Sequence, residues 1–254
     1  MVGPDGPPSV LVWGDSHAAM LWPVAEWSAE QAGRTALVLG SPACPPFLGV
    51  DVQYHLRPPC SEVSQSIARW LQAPQPASVT GVVLAARWSL YDGEETPAVG
   101  AIEPLRLVWH DGRPATDFTD MLAVGLRTIL QALSGRQRVL IVGPLPEFRH
   151  AAADCALRAK LYAGSRASCA MSRADVDQRG RTAMGVLRDV AGKFPDTMLI
   201  DPTDLFCDRT TCSPFGAAGV FYRDDNHLTA LGAEMFYRRF ATELGWVFGA
   251  GRAR

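Results

Sequence analysis

The stretch Ser9-Val10-Leu11-Val12-Trp13-Gly14-Asp15-Ser16-His17 decides the fold of this chain. Ser9–Trp13 is a short apolar run with strand character, Gly14-Asp15-Ser16 is a tight acidic turn, and helical spacing follows from Ala18 to Ala32. A strand that runs through such a turn into a helix is how an α/β enzyme presents a hydroxyl at the carboxyl end of its sheet.

The same unit recurs outward along the chain. Thr35–Leu39, Gly81–Ala85, Arg138–Val142 and Met198–Asp201 are further short runs, mostly Val, Leu and Ile without polar alternation. That pattern predicts strands buried on both faces of a parallel sheet. Helical spacing covers Ser61–Leu71, Asp120–Leu133, Ala174–Lys193 and Thr229–Leu244, the last with Leu231, Met235, Phe236, Phe240 and Leu244 on its apolar side. The alternation predicts right-handed crossovers and a three-layer α/β/α sandwich around a five-stranded parallel sheet. Four connections, 41–60, 91–118, 145–172 and 202–223, are longer than compact domains ordinarily use, and such loops are functional or stapled. Residues 1–8, Met1-Val2-Gly3-Pro4-Asp5-Gly6-Pro7-Pro8, read as a linker from a longer protein, and residues 9–254 as a single domain without repeats.

Bulk properties exclude several classes. The 254 residues suffice for one well-buried α/β domain, and 48% hydrophobic with 20% charged residues is globular composition. A net charge of −2 supplies no field to hold nucleic acid or anionic lipid. Of 24 basic residues only Lys160 and Lys193 are lysine, a bias read as codon composition rather than phosphate recognition. No apolar run of about 18 residues crosses a membrane, and the N-terminus lacks a signal-peptide layout. No glycine-rich phosphate or dinucleotide turn follows the first strand, and no cofactor is expected.

Six cysteines fall as three local pairs, Cys44 with Cys60, Cys155 with Cys169 and Cys207 with Cys212, each in a segment that reads as loop. None forms a CxxC pair and no histidine stands at zinc-ligand spacing, so no metal site is expected. Local disulfides in an oxidising compartment are the simplest arrangement; six buried thiols in a cytosolic enzyme are the alternative.

The chemistry lies at the two ends. A serine hydroxyl needs a base, and the base needs an acceptor that fixes its tautomer. Ser16 stands at the strand–helix junction, where its own N–H can face an oxyanion. Near the other end, Asp224-Asp225-Asn226-His227 puts an acid three residues ahead of an imidazole. The i, i+3 spacing makes Asp224 the better orienting partner and turns Asp225 away, a choice that a loop conformation would reverse. Each piece alone is ordinary: Gly-Asp-Ser is a common turn, a serine at a helix start is commonly a cap, and a lone histidine is commonly a surface residue. Their conjunction points to catalysis. His17, next to Ser16, is not placed to be the base and is read as packing or substrate contact. Trp13 and Trp88 are expected near the site, whereas His55, His110 and His150 lie in loops without a nameable partner.

With these residues in place, the chain resembles the SGNH (GDSL-type) hydrolase superfamily, which carries its nucleophile in Gly-Asp-Ser and the rest of its triad in Asp-x-x-His. More specifically it resembles the SGNH domains fused to the membrane-spanning part of acyltransferase family 3 proteins. The matching segments are Gly14–His17, Cys44-Pro45-Pro46, Ala86-Arg87-Trp88, Cys207 with Cys212, and Asp224–Leu228, spread over essentially the whole chain. The resemblance implies a flavodoxin-like SGNH fold and a bacterial inner-membrane O-acyltransferase acting on surface glycans such as O-antigen, exopolysaccharide or peptidoglycan. It further implies that a membrane-spanning acyltransferase domain delivers an acyl group, and that this domain, on the periplasmic or outer side, passes it through a seryl ester to a sugar hydroxyl.

Two departures concern the oxyanion hole. Arg87 stands where the superfamily has asparagine, and the place of its glycine falls near Cys60-Ser61. The candidates for oxyanion or substrate contact are therefore Ser16, Ser61, Arg87, Trp88, Asp15 and His17. Arg87 has an alternative task, an ion pair with Asp92 or Asp15. Two other functions fit the same residues: a carbohydrate esterase that uses water as acceptor, and a non-catalytic module that positions a glycan.

Overall fold

The structure is a computed structural model that describes residues 1–53, 60–73, 79–92, 106–111, 117–161 and 169–249. His55 lies outside these residues.

Five strands form the expected sheet: β1 (Val10–Gly14), β2 (Ala36–Gly40), β4 (Gly81–Ala85), β6 (Arg138–Val142) and β8 (Thr197–Ile200). All neighbours are parallel, in the order β2-β1-β4-β6-β8. The chain leaves β1 for β2 on one side and returns to β4 on the other. The crevice beyond the carboxyl ends of β1 and β4 is thus the topological switch point, where open α/β sheets bind their ligands.

The missing polar alternation has a simple cause. Val10 and Val12, Val83 and Ala85, and Leu140 and Val142 face one core, while Leu11 and Trp13, Val82 and Leu84, and Val139 and Ile141 face a second. Successive side chains point to opposite faces, and both faces are covered. The first core packs against α2 (Trp22–Ala32), α8 (Ala230–Arg239) and α9 (Ala241–Phe248). The second packs against α3 (Cys60–Gln72), α4 (Phe118–Leu133) and α6 (Arg173–Ala191).

Two helices expected as continuous are each divided. The segment from Ala18 to Ala32 is α1 (Ser16–Met20) followed by α2, with Leu21 between them. Pro23, at the start of α2, has no N–H and its ring clashes with the carbonyl four residues back, so one helix does not run through it. The segment from Thr229 onward is α8 and α9, which meet at Phe240; nothing in the local sequence explains that break.

The long connections are partly ordered. They hold the antiparallel pair β3 (Val50–Gln53) and β5 (Arg106–Trp109), helix α5 (Ala152–Leu161) and the short helix α7 (Thr203–Phe206). The two-residue strands β7 (Met171–Ser172), β9 (Thr211–Cys212), β10 (Phe215–Gly216) and β11 (Gly219–Val220) complete them. Disulfides Cys44–Cys60, Cys155–Cys169 and Cys207–Cys212 join the local pairs. Residues 1–8 are no free linker. Val2 is buried and exchanges backbone hydrogen bonds with Ala36, 2.9 Å each way, at the edge of β2. No helix among the described residues is long and apolar enough to cross a membrane.

Candidate active site

The site is built on two turns that meet at the switch point. Gly14 ends β1 against β4, so closely that a Cβ there would stand 1.7 Å from the Ala85 carbonyl oxygen. Only glycine fits this approach, which is why a glycine precedes the acid and the serine. Asp15 caps α1, its Oδ1 accepting the His17 N–H at 2.8 Å. Its other oxygen accepts the Arg87 N–H at 2.9 Å and the Tyr91 hydroxyl at 2.8 Å. The carboxylate is buried, and the bonds from Arg87 and Tyr91 tie the Gly14–Ser16 turn to the segment after β4. Burial, reinforced by the Asp15 charge, pushes the Tyr91 hydroxyl well above its ordinary range, so it remains a donor.

The second turn, 222–228, closes on itself through Arg223 N–H to the His227 carbonyl at 2.9 Å and the Tyr222–Leu228 bridge. His227 therefore lies in a turn ahead of α8, whose cap is Thr229, rather than on the helix. Asp224 Oδ1 accepts the N–H groups of His227 at 2.7 Å and Asn226 at 3.0 Å, and Oδ2 accepts His227 Nδ1 at 2.8 Å. Partial burial by itself would raise the Asp224 carboxyl, but these bonds outweigh it and hold the group far below the usual carboxylate range. His227 Nε2 then stands 2.8 Å from Ser16 Oγ. A carboxylate only accepts, so Nδ1 carries the proton and Nε2 is free to accept from the serine. The Asp225 carboxylate accepts from Asn226 Nδ2 at 2.9 Å, and its carbonyl from the Phe148 N–H at 2.8 Å.

The turns are joined by His17. It is buried, its Nε2 is 2.9 Å from Asn226 Oδ1, and its ring meets the His227 ring edge-on at 5.2 Å. Burial lowers its pKa, so at neutral pH it is an uncharged wedge between α1 and His227.

Three expectations are corrected. Ser61 does not face the centre: its N–H and hydroxyl are both spent on Asp51, at 3.0 and 2.9 Å, in a buried cap of α3. Trp88 is fully buried and donates its indole N–H to the Val142 carbonyl at 2.7 Å, which makes it a core residue, as is Trp13. Arg87 pairs with neither Asp92 nor Asp15 through its side chain; its Nη2 meets Glu147 Oε2 at 2.6 Å. Desolvation opposes both charges, yet the pair raises the guanidinium and lowers the carboxyl. Ser89 Oγ donates to the other Glu147 oxygen. Of the oxyanion candidates this leaves the Ser16 N–H, at the first position of α1, without an acceptor among the described residues.

Glu147, Asn226, Tyr91 and Asp51 are the residues that sequence reasoning missed. Glu147 alone left a signal, since it follows the carboxyl end of β6 in Leu145-Pro146-Glu147, where α/β enzymes place ligand-facing groups. No group of three or more His, Cys, Asp or Glu among the described residues has the arrangement of a metal site.

Residues 1–242 match the family model described as the SGNH domain fused to AT3 domains. Searching curated proteins gave no match. Among solved structures, the periplasmic domain of the Salmonella ser. Paratyphi A lipopolysaccharide acetyltransferase superposes with a TM-score of 0.65 at 16% identity, covering 95% of this chain and 85% of that one. A candidate platelet activating factor from Streptococcus pneumonia gives 0.48 at 11% identity, covering 94% and 85%. The first likeness is one of fold, and the second carries no argument.

Proposed function

This chain belongs to the family of SGNH domains fused to AT3 domains, and from that premise we propose that it transfers an acyl group, an acetyl in the simplest case, to a hydroxyl of a bacterial surface glycan. The observation that carries the reading is the unbroken hydrogen-bonded line Ser16–His227–Asp224, with 2.8 Å at both links.

In the first half-reaction Ser16 Oγ attacks the acyl carbonyl and its proton passes to His227 Nε2. The tetrahedral oxyanion faces the Ser16 N–H. The donor's leaving group then departs with the His227 proton, and Ser16 holds the acyl as an ester. In the second half, a sugar hydroxyl gives its proton to His227 and attacks that ester, and Ser16 Oγ recovers the proton as the glycan ester forms. Asp224 stays ionised throughout and stabilises the imidazolium formed in each half. Asp15 holds Ser16 at the end of β1 without touching the reacting atoms.

The family fusion supports an acyl donor presented by a membrane-spanning partner domain, with residues 9–254 as one catalytic unit. Three disulfides support a site outside the cytoplasm, on the periplasmic or outer face of the inner membrane. The test is Ser16→Ala in the full-length protein in its own cells, with ester-linked acyl groups on the surface glycan read by proton NMR. Loss of the acyl signal at normal protein level is expected; retention sinks the catalytic reading. Acyl release by the wild-type protein without any glycan ester product would make the domain an esterase.

A further inference from the structure

A cavity of about 250 Å³ opens beyond the carboxyl ends of β6 and β8, between the Pro144–Glu147 segment and α6. Ser89 and Glu147 form part of its wall, so it shares a side with the Arg87 cluster at the switch point. From it we infer that the glycan acceptor is anionic, carrying carboxylate or phosphate, and lies along α6. The inference deepens the proposed function by naming the substrate class.

Charge is the first support. Arg179, Arg181 and Arg188 line the cavity, and among the described residues none of them pairs with a carboxylate. Arg179 reaches only the Glu147 carbonyl, at 3.4 Å. The wall also holds three acids, two of them in ion pairs. Glu147 is held by Arg87, Asp177 by Arg173 at 2.7 Å, and Asp201 accepts the Thr203 N–H at 3.0 Å. Arginine is the default base of this chain, so its identity says little; its lack of partners in one cleft says more. With Glu147 and Asp177 paired, three guanidinium charges stand against the one carboxylate of Asp201, an excess of positive charge that draws an anion into a concave surface. Arg181 and Arg188 are seven residues apart, about 10.5 Å along the helix axis, so a monoanion meets one and an oligomer with repeated charge meets both.

Space is the second. Helical glycine costs about 1 kcal/mol relative to alanine, and needs a reason. Gly125 in α4 has one, because a Cβ would come within 2.8 Å of the Phe47 ring. Gly180 and Gly185 in α6 have none. A Cβ at Gly180 would make ordinary contact with Pro144 at 3.7 Å, and one at Gly185 would meet nothing within 4 Å. Both glycines line this cavity. Two unforced glycines on the face that carries the unpaired arginines keep the helix backbone open to a close-lying ligand. Ligand pockets for drug-sized molecules begin at about 300 Å³, so this one holds about one sugar unit of a chain that continues into solvent.

The test is titration of this chain, without acyl donor, followed by NMR. The probes are tetragalacturonate, its methyl ester, glucose 6-phosphate and glucose. Tetragalacturonate or glucose 6-phosphate should saturate below about 10 mM, and which of them does so separates carboxylate from phosphate recognition. The double variant Arg181→Glu/Arg188→Glu and, separately, Gly185→Leu should each weaken that binding at least about 10-fold while staying folded, the arginine variant unfolding at the parent's denaturant midpoint and Gly185→Leu above it because it removes a helical glycine. Gly185→Ala controls for the helix itself and should bind nearly as the parent does. Binding of the neutral probes as tight as the charged ones, no saturation by either anion, or unchanged affinity in a folded variant overturns the inference. Ser16→Ala should bind the probe unchanged, so survival of acylation in Ser16→Ala cells would remove the proposed function and leave the groove standing.

Discussion

Two clusters at the carboxyl edge of the sheet have the same parts and opposite behaviour. Each joins a serine hydroxyl to a carboxylate and a nitrogen base: Ser16, Asp224 and His227 in one, Ser89, Glu147 and Arg87 in the other. In the first, Asp224 and His227 keep 34% and 17% side-chain exposure, and the imidazole lies between acid and hydroxyl. In the second, Glu147 is 3% exposed and lies between hydroxyl and guanidinium, each of its oxygens taken by a donor. What separates the two clusters is the central group. An imidazole accepts a proton on one side while donating on the other, and water or substrate can reach it. A buried carboxylate between two donors has no proton to pass on.

That contrast is open to attack in order of effect. Asp224→Asn should lower acyl transfer about 10⁴-fold with folding unchanged, because an amide at that place favours the wrong imidazole tautomer; transfer assayed at equal protein level decides it. The matching change in the other cluster, Glu147→Gln, should act on stability first. It leaves the largely buried Arg87 guanidinium without a counter-charge, a loss of about 3 kcal/mol in urea unfolding. A Glu147→Gln protein as stable as the parent but without activity would put Glu147 among the reacting groups and break the comparison. Ser89→Ala removes one hydrogen bond to that charge and should cost about 1.5 kcal/mol, again by urea unfolding.

The smallest effect concerns His17, which touches both regions through Asn226 and the His227 ring. Burial depresses its folded-state pKa, so below the unfolded value of about 6.5 the unfolded chain binds a proton that the folded chain refuses. The stability this represents is complete above about 6.5 and is lost as pH falls towards the folded value. Unfolding midpoints measured from pH 7.5 to 5 should drop for the parent and drop less for His17→Gln. Parallel slopes would mean that His17 takes up its proton as readily in the fold as in the unfolded chain.

Legibility follows the range of the interaction. The five strands could be read because residues buried on both faces carry an unbroken apolar signature in each strand by itself. Gly14-Asp15-Ser16 and Asp224-x-x-His227 could be read because each is a local turn, its bonds spanning two or three residues. The disulfides were accessible for the same reason, their partners lying 5 to 16 residues apart. Glu147 could not be matched to Arg87, sixty residues away, since no local pattern distinguishes it from any carboxylate in a loop. Ser61 was misplaced because Asp51, which occupies both its donors, sits on a strand that local reading leaves inside a loop.

The sequence by itself determined the layers, the Gly14–Ser16 turn, the acid–imidazole turn and the cysteine pairs, all consequences of periodicity or of contacts between residues near one another in the chain. Only the tertiary structure decided that Ser16 and His227, 211 residues apart, share a hydrogen bond, and that Arg87 answers to Glu147 rather than to Asp92. It also decided that three arginines on one helix line a cavity without an ion-pair partner among the described residues. Those outcomes depend on which strands become neighbours. The crossing of the chain from β2 back over β1 to β4 sets that order, and no single segment encodes it.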